Sequence, residues 1–468
     1  METDYIDTFL RVQKALHKDS YGNGWSIGKH PSLSMALCKL QGLTSCSGTF
    51  SAHYSYYTHS NIENKIKVNN RNAGTIWKPD VKVLLEEAKP APFGKGEQTV
   101  FDESVRKGLQ IPASELHIEN LDYLVPEDID YLVPNNYKFH AKLYKMHIYL
   151  PGGHFELHRD TPHAANHLAT LVVALPSCFQ GGHLTLMDYK EVKSFPLGSL
   201  PLPESPPEVE TDHSTKPLVS PLRKHRRKTE EAKDLCHWVA FYTDVEHKVE
   251  PVLSGTRVVL QFDLLAIPDE RDEDDEEDEP MVEIDKDTIV PKREMLHYVC
   301  GSESKEGVWI SKDRESGAES QTVIKDIASE LDKLLKKDPV QKFALVLKHR
   351  YTTKSLKPEL LKSVDQLLWT ELSQTFDISI MPVLIEESGD YEDGCTSFTA
   401  KPFDLYSLDK DEKKEDKCKT WVITGSRESE ALHMFSQSYI EHTGNEAQPA
   451  EEKYLVSCLI VHKIKDSN

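Results

Sequence analysis

The stretch Tyr149-Leu-Pro-Gly-Gly-His-Phe-Glu-Leu-His158-Arg-Asp160 decides how this chain is read. His158 and Asp160 stand two apart at its end. In extended backbone, side chains two apart share a face. One imidazole and one carboxylate can therefore reach the same metal ion from the end of one strand. A second histidine would complete a 2-His-1-carboxylate facial triad, a donor set that leaves open positions on ferrous iron. A lone His-x-Asp is a weak signal, so the case depends on what surrounds it.

Downstream, Trp238-Val-Ala-Phe-Tyr-Thr-Asp-Val-Glu-His247 ends in a candidate third ligand. Ten residues later Arg257 opens another apolar run, after a turn over residues 250–255. A planar guanidinium suits bidentate pairing with a carboxylate. A metal triad with an inward arginine meets the needs of 2-oxoglutarate: the keto-acid end chelates the metal and the distal carboxylate meets Arg257.

The context is that of short strands. Residues 139–150, 167–176, 182–187, 238–242 and 257–265 are alternating or continuously apolar runs separated by Gly, Pro and Asp. Such spacing predicts an all-β barrel or jelly roll. Helices are expected over 5–16 and 81–88, the latter stopped by Pro90 and Pro92. Beyond residue 290 the pattern changes. Helices are expected over 323–335 and 358–372, and strands over 343–347, 378–385 and 454–461.

The expected fold is thus α+β, in four parts. Residues 1–135 form a mixed helical region packing on the core. Residues 136–268 form the β core, residues 269–289 an acidic linker, and residues 290–468 an α/β domain. Residues 197–233, rich in Pro, Ser and charge, read as an insertion at the surface. The acidic run starting at Asp269 repels itself and has nothing apolar to bury.

The chain has 468 residues and a formal charge of −21, which argues against general nucleic-acid or anionic-membrane binding. No run of eighteen apolar residues is present, so no membrane span is expected. The eight cysteines are scattered with no CxxC pair, which suggests free thiols inside the cell, in cytoplasm or nucleus. The basic cluster Arg223 to Lys228 reads as a solvated loop, with a nuclear-import signal as the alternative. His154, His163, His167, His183 and His237 read as surface or loop residues. His163 could also line a substrate entrance, and His237 could be structural.

Taken together, Tyr149, Gly152-Gly153, Phe155, His158-x-Asp160, Ala169-Thr170, Gly181-Gly182-x-Leu184, and His247 followed at ten by Arg257 resemble the catalytic core of the prolyl 4-hydroxylase-type Fe(II)/2-oxoglutarate oxygenases. The resemblance spans residues 143–264 and implies a double-stranded β-helix. It implies His158, Asp160 and His247 as iron ligands, Arg257 on the 2-oxoglutarate carboxylate, and Tyr149 and Thr170 beside the cosubstrate. It further implies dioxygen as oxidant, stimulation by ascorbate, and hydroxylation of a protein or peptide, with prolyl residues as that class's target. Oxygenation of a small molecule, and an inactive barrel used for interaction, stay open. Many members of the wider family carry Lys where this chain has Arg257. Both are cationic, so the role survives. Setting aside the insertion restores an ordinary spacing between Asp160 and His247.

Overall fold

A computed structural model describes residues 25–27, 30–40, 42–51, 64–95, 98–134, 136–188, 191–199, 235–269, 314–352, 354–390, 395–402, 420–423 and 457–465. The helix expected over 5–16, the body of the 197–233 insertion, the basic cluster and most of the acidic linker lie outside these residues. No described helix is long and apolar enough to cross a membrane.

Two antiparallel sheets dominate the first half. The larger has seven strands, in the order Ser45–Ser51, Leu235–Tyr242, His167–Ala174, Arg257–Pro268, Tyr137–Tyr149, Leu109–Pro112 and Lys89–Pro90. Its third strand, His167–Ala174, is buried at every position. That is why it reads as a continuous apolar run rather than an alternating one. Tyr137–Tyr149 begins with alternating burial and ends fully buried, as it passes from the rim into the core. The smaller sheet has five strands: Glu191–Phe195, Leu184–Asp188, Glu246–Val249, His154–His158 and Arg106–Lys107. One apolar core joins both sheets, with Ile148, Leu171, Phe241, Val258 and Phe262 at its centre.

The helix Val81–Glu87 forms where the pattern places it. Asp80 caps it by accepting from the amides of Lys82 and Val83. Leu84 is the residue it buries.

The second half builds a separate core on a six-stranded mixed sheet: Trp25–Ile27, Thr420–Ile423, Lys342–Val346, Ser457–Ile464, Phe376–Asp390 and Cys395–Pro402. The helix Arg314–Lys337 buries Val323, Ile324, Ile327, Leu331 and Leu335, an i, i+3, i+4 stripe.

Two features of this half depart from the periodicity. First, the helix expected over 358–372 is broken. A short 3-10 turn, Pro358–Leu360, is followed by extended Leu361 and Lys362, and the α-helix starts only at Ser363. Second, the strand Trp25–Ile27 pairs in parallel with Thr420–Ile423, and the helix Pro31–Lys39 buries Leu33 and Leu37 in this core. The early segment therefore starts in the second unit and enters the β core only at Ser45–Ser51. A three-residue strand carries no period to reveal its partner.

Candidate metal centre

His158 ends the strand His154–His158, directly opposite His247 of Glu246–Val249 in the antiparallel register. Asp160 follows two residues later and is buried with both. One ligand atom from each of the three lies within 4.8 Å of the others. Asp160 Oδ1 is 3.9 Å from His247 Nε2, and the two imidazole rings are 4.1 Å apart.

The hydrogen bonds around this trio orient it. His158 Nδ1–H donates to the Glu156 carbonyl at 2.7 Å, and His247 Nδ1–H to the Val245 carbonyl at 3.0 Å. A carbonyl only accepts, so each Nδ1 carries a proton, and Nε2 is the atom left to bind a metal. Phe155 stacks on His158 at 3.6 Å and Phe241 packs on His247 at 4.6 Å, which fixes both ring planes. The Thr170 hydroxyl donates to Asp160 Oδ2 at 2.7 Å. Two imidazoles and a carboxylate, pre-oriented by other groups, fit a divalent transition ion.

Arg257 opens the strand Arg257–Pro268 and pairs in register with Tyr149. It lines the same cavity as the three ligand residues, on the larger sheet rather than the smaller. It is 1% exposed, and its Nε and Nη1 have no hydrogen-bond partner among the described residues. Burial pushes the guanidinium down to about 10, which leaves it charged at neutral pH. The Tyr149 ring, 5.2 Å away, is its nearest aromatic support. Leaving a charge of this kind buried and unpaired costs several kcal/mol. An anionic ligand with a carboxylate at this end of the cavity would remove that cost.

The structure thus brings His158, Asp160, His247, Arg257, Tyr149 and Thr170 to one cavity between the sheets. It also shows polar residues there that the sequence reading passed over. Arg106 Nη2 donates to His147 Nδ1 at 3.0 Å, and His147 Nε2 donates to Gln261 Oε1 at 2.7 Å. Burial, together with Arg106 and Lys145, keeps His147 well below the usual imidazole range, so it is neutral. The signal was the alternation Lys145, His147, Tyr149, which sets three polar or amphipathic side chains on one face of an otherwise apolar strand.

His167 corrects the surface reading given to the extra histidines. It is 1% exposed, because it begins a fully buried interior strand. It forms a second cluster with His163 and Asp263. The amide of His163 donates to His167 Nδ1 at 3.1 Å, and His167 Nε2–H donates to the Ala169 carbonyl at 3.1 Å. With both ring nitrogens engaged, His167 is committed to the backbone. His163 Nδ1 lies 2.7 Å from Asp263 Oδ2, so this cluster reads as a hydrogen-bonded network.

No family model matches the chain, and no curated protein matches it. Solved structures align with part of it. A prolyl-4-hydroxylase from Pseudomonas putida shares 17% identity over 40% of this chain and 80% of that one, with a TM-score of 0.22. An oxidoreductase of the 2OG-Fe(II) oxygenase family from Burkholderia pseudomallei shares 11% identity over 40% and 76%, with a TM-score of 0.23. A prolyl hydroxylase from Trichoplax adhaerens, in complex with a hypoxia inducible factor peptide fragment, shares 14% identity over 45% and 86%, with a TM-score of 0.24. TM-scores this low carry no argument, and the chemistry of the cavity stands on its own side chains.

Proposed function

We propose that this protein is an Fe(II)- and 2-oxoglutarate-dependent oxygenase. One observation carries the reading: a buried cation with unpartnered N–H groups shares a cavity with a pre-oriented 2-His-1-carboxylate set. A metal site alone needs no buried arginine, and an anion site alone needs no facial triad. A metal-chelating dicarboxylate needs both.

His158, Asp160 and His247 would hold the iron, and Arg257 would receive the distal carboxylate of the cosubstrate. Ferrous iron with 2-oxoglutarate supplies oxidation by dioxygen, delivering one oxygen atom to a substrate C–H bond and the other to succinate, with loss of carbon dioxide. The chain's own residues do the rest. The backbone carbonyls of Glu156 and Val245 keep the Nε2 lone pairs aimed inward. Thr170 holds one oxygen of Asp160. Phe155, Phe241, Val172 and Leu184 form an apolar wall that limits water and strengthens the Arg257 pairing. For the substrate we infer a protein or peptide, on the resemblance of the motif set to the prolyl hydroxylases.

The test has two arms. Anaerobic titration of the iron-loaded protein with 2-oxoglutarate should produce the visible absorption band of the chelate, absent in His158→Ala. In air, iron-dependent succinate should form, with a mass gain of one oxygen atom on a peptide from a lysate digest. Absence of 2-oxoglutarate binding to the iron-loaded protein would overturn the proposal.

A further inference from the structure

The turn that presents His247 is held from outside the β core. It spans Thr243, Asp244 and Val245, between the strands Leu235–Tyr242 and Glu246–Val249. The Asp244 side chain is 7% exposed, and its carboxylate accepts three bonds from the second unit. Lys362 Nζ donates to Oδ1 at 2.7 Å. His349 Nδ1 and the Arg350 amide donate to Oδ2 at 3.1 and 3.0 Å. Lys362 is itself 2% exposed. It reaches Asp244 because the chain is extended at Lys362, in the break before the helix Ser363–Thr375.

From the same turn, contacts run to His247 and to Arg159, the residue between the other two ligands. The Asp244 carbonyl accepts from Arg159 Nε at 2.9 Å, and Arg159 lies between His158 and Asp160 in the chain. Arg159 Nη2 also pairs with Glu246 Oε1 at 2.8 Å, next to His247. The Val245 carbonyl takes the Nδ1 proton of His247. The interface is close-packed as well as ionic. Leu360 sits among Val133, Leu168 and Ala266, and a β-carbon on Gly42 would come within 2.2 Å of Ser363 Oγ.

We infer that the second unit is a positioning element of the metal centre: Lys362 and His349, acting through Asp244, hold the turn that aims His247 and clamps Arg159 between the other two ligands. The inference rests on the proposed function only in taking the three residues as metal ligands. Lys362 and His349 act on Asp244 rather than on a ligand. Their effect passes through a buried carboxylate, and removing one partner leaves that charge uncompensated in the turn. Groups that bond a metal ligand directly shift affinity by about 10- to 100-fold when lost; Lys362 acts from one step further out, so the low end of that range applies.

The experiment uses the full chain and Co(II) as an anaerobic spectroscopic probe. Wild type, His158→Ala, Lys362→Met and Leu331→Ala are titrated beside thermal unfolding. Leu331→Ala opens a cavity in the second core without touching Asp244. Lys362→Met should weaken Co(II) binding by about tenfold, the low end of what supporting groups contribute, and alter its absorption bands. Leu331→Ala should lower the unfolding temperature and leave both unchanged. Coupling is reciprocal, so Co(II) should slow hydrogen exchange at residues 348–352 of the wild type. That measurement stands if Lys362→Met does not fold. Equal Co(II) affinity in wild type and Lys362→Met, equal weakening by Leu331→Ala, or exchange at 348–352 indifferent to Co(II) would each overturn the inference and leave the oxygenase reading intact. Wild-type Co(II) binding that His158→Ala does not abolish would overturn both.

Discussion

The Thr170 hydroxyl lies 2.7 Å from Asp160 Oδ2, on the carboxylate oxygen other than the one facing His247 Nε2. This bond comes from the larger sheet, whereas both histidines sit on the smaller one, so it ties the carboxylate across the cavity. Thr170→Val keeps the side chain's shape and removes the donor. Metal affinity should fall about tenfold, the low end of what such supporting groups contribute, with the fold retained. A metal titration that matches wild type would show that Asp160 is held without this bond.

Arg257→Met should separate the two halves of the cavity's chemistry. The three ligands keep their partners, so metal affinity should stay near wild type. Affinity for 2-oxoglutarate should fall by about a hundredfold, since each hydrogen bond to a charged group contributes about 1.5–3 kcal/mol. Calorimetric titration of both ligands checks this. Unchanged 2-oxoglutarate affinity would mean that the guanidinium serves some other anion.

Gly182 has a φ of +63°, and a β-carbon there would stand 2.8 Å from Val252 Cγ2 and 3.1 Å from Arg257 Cδ. Gly182→Ala therefore costs about 1–2 kcal/mol in the left-handed backbone region, before any contact is counted. It also pushes on the arginine stem. The expected outcome is reduced 2-oxoglutarate affinity with metal binding unaltered, measured beside a urea unfolding curve. Normal affinity would mean that the stem can yield without moving the guanidinium.

His167 gives the metal-free protein a pH dependence whose sign follows from burial. Desolvation lowers the imidazole from 6.5 to about 4, with Asp263 opposing the shift. Between those values the unfolded chain takes up a proton that the folded one refuses, so stability falls as pH drops from about 6.5 to about 4. At 1.36 kcal/mol per unit the loss approaches about 3 kcal/mol. His147 is also lowered by burial and acts in the same direction. Urea unfolding in chelator at pH 7 and pH 4.5 should show the loss in wild type, and a smaller one in His167→Asn. The same drop in both would place the proton uptake elsewhere.

How much of this was legible before the fold was known depends on sequence distance. His158 and Asp160 were readable because the strand period ties them locally, and His247 with Arg257 because a turn of ordinary length joins them. Thr170 was readable as a cavity residue, but not as the partner of Asp160, since register between sheets leaves no mark on the chain. Lys362 was invisible. Its neighbours Leu360, Leu361 and Val364 fit one continuous helix, and only contact with Asp244, more than a hundred residues earlier, shows why the helix is interrupted. His167 looked like one more polar residue at a strand start. Its burial follows from the interior place of its strand in the sheet, between Leu235–Tyr242 and Arg257–Pro268.

The pairing of Trp25–Ile27 with Thr420–Ile423 has a consequence for biosynthesis. The partner strands are separated by about 400 residues. At about 5–20 residues per second on a ribosome, the first strand waits on the order of 20 to 80 s for its neighbour to be made. Throughout that interval the β core, whose strands lie between them, can close, while the emerging chain carries an apolar helix, Pro31–Lys39, with no core to enter. Nascent chains halted before residue 420 should therefore recruit chaperones at their first forty residues. An expression clone trimmed to the β core alone should start at Ser45, where the chain has already left the second unit.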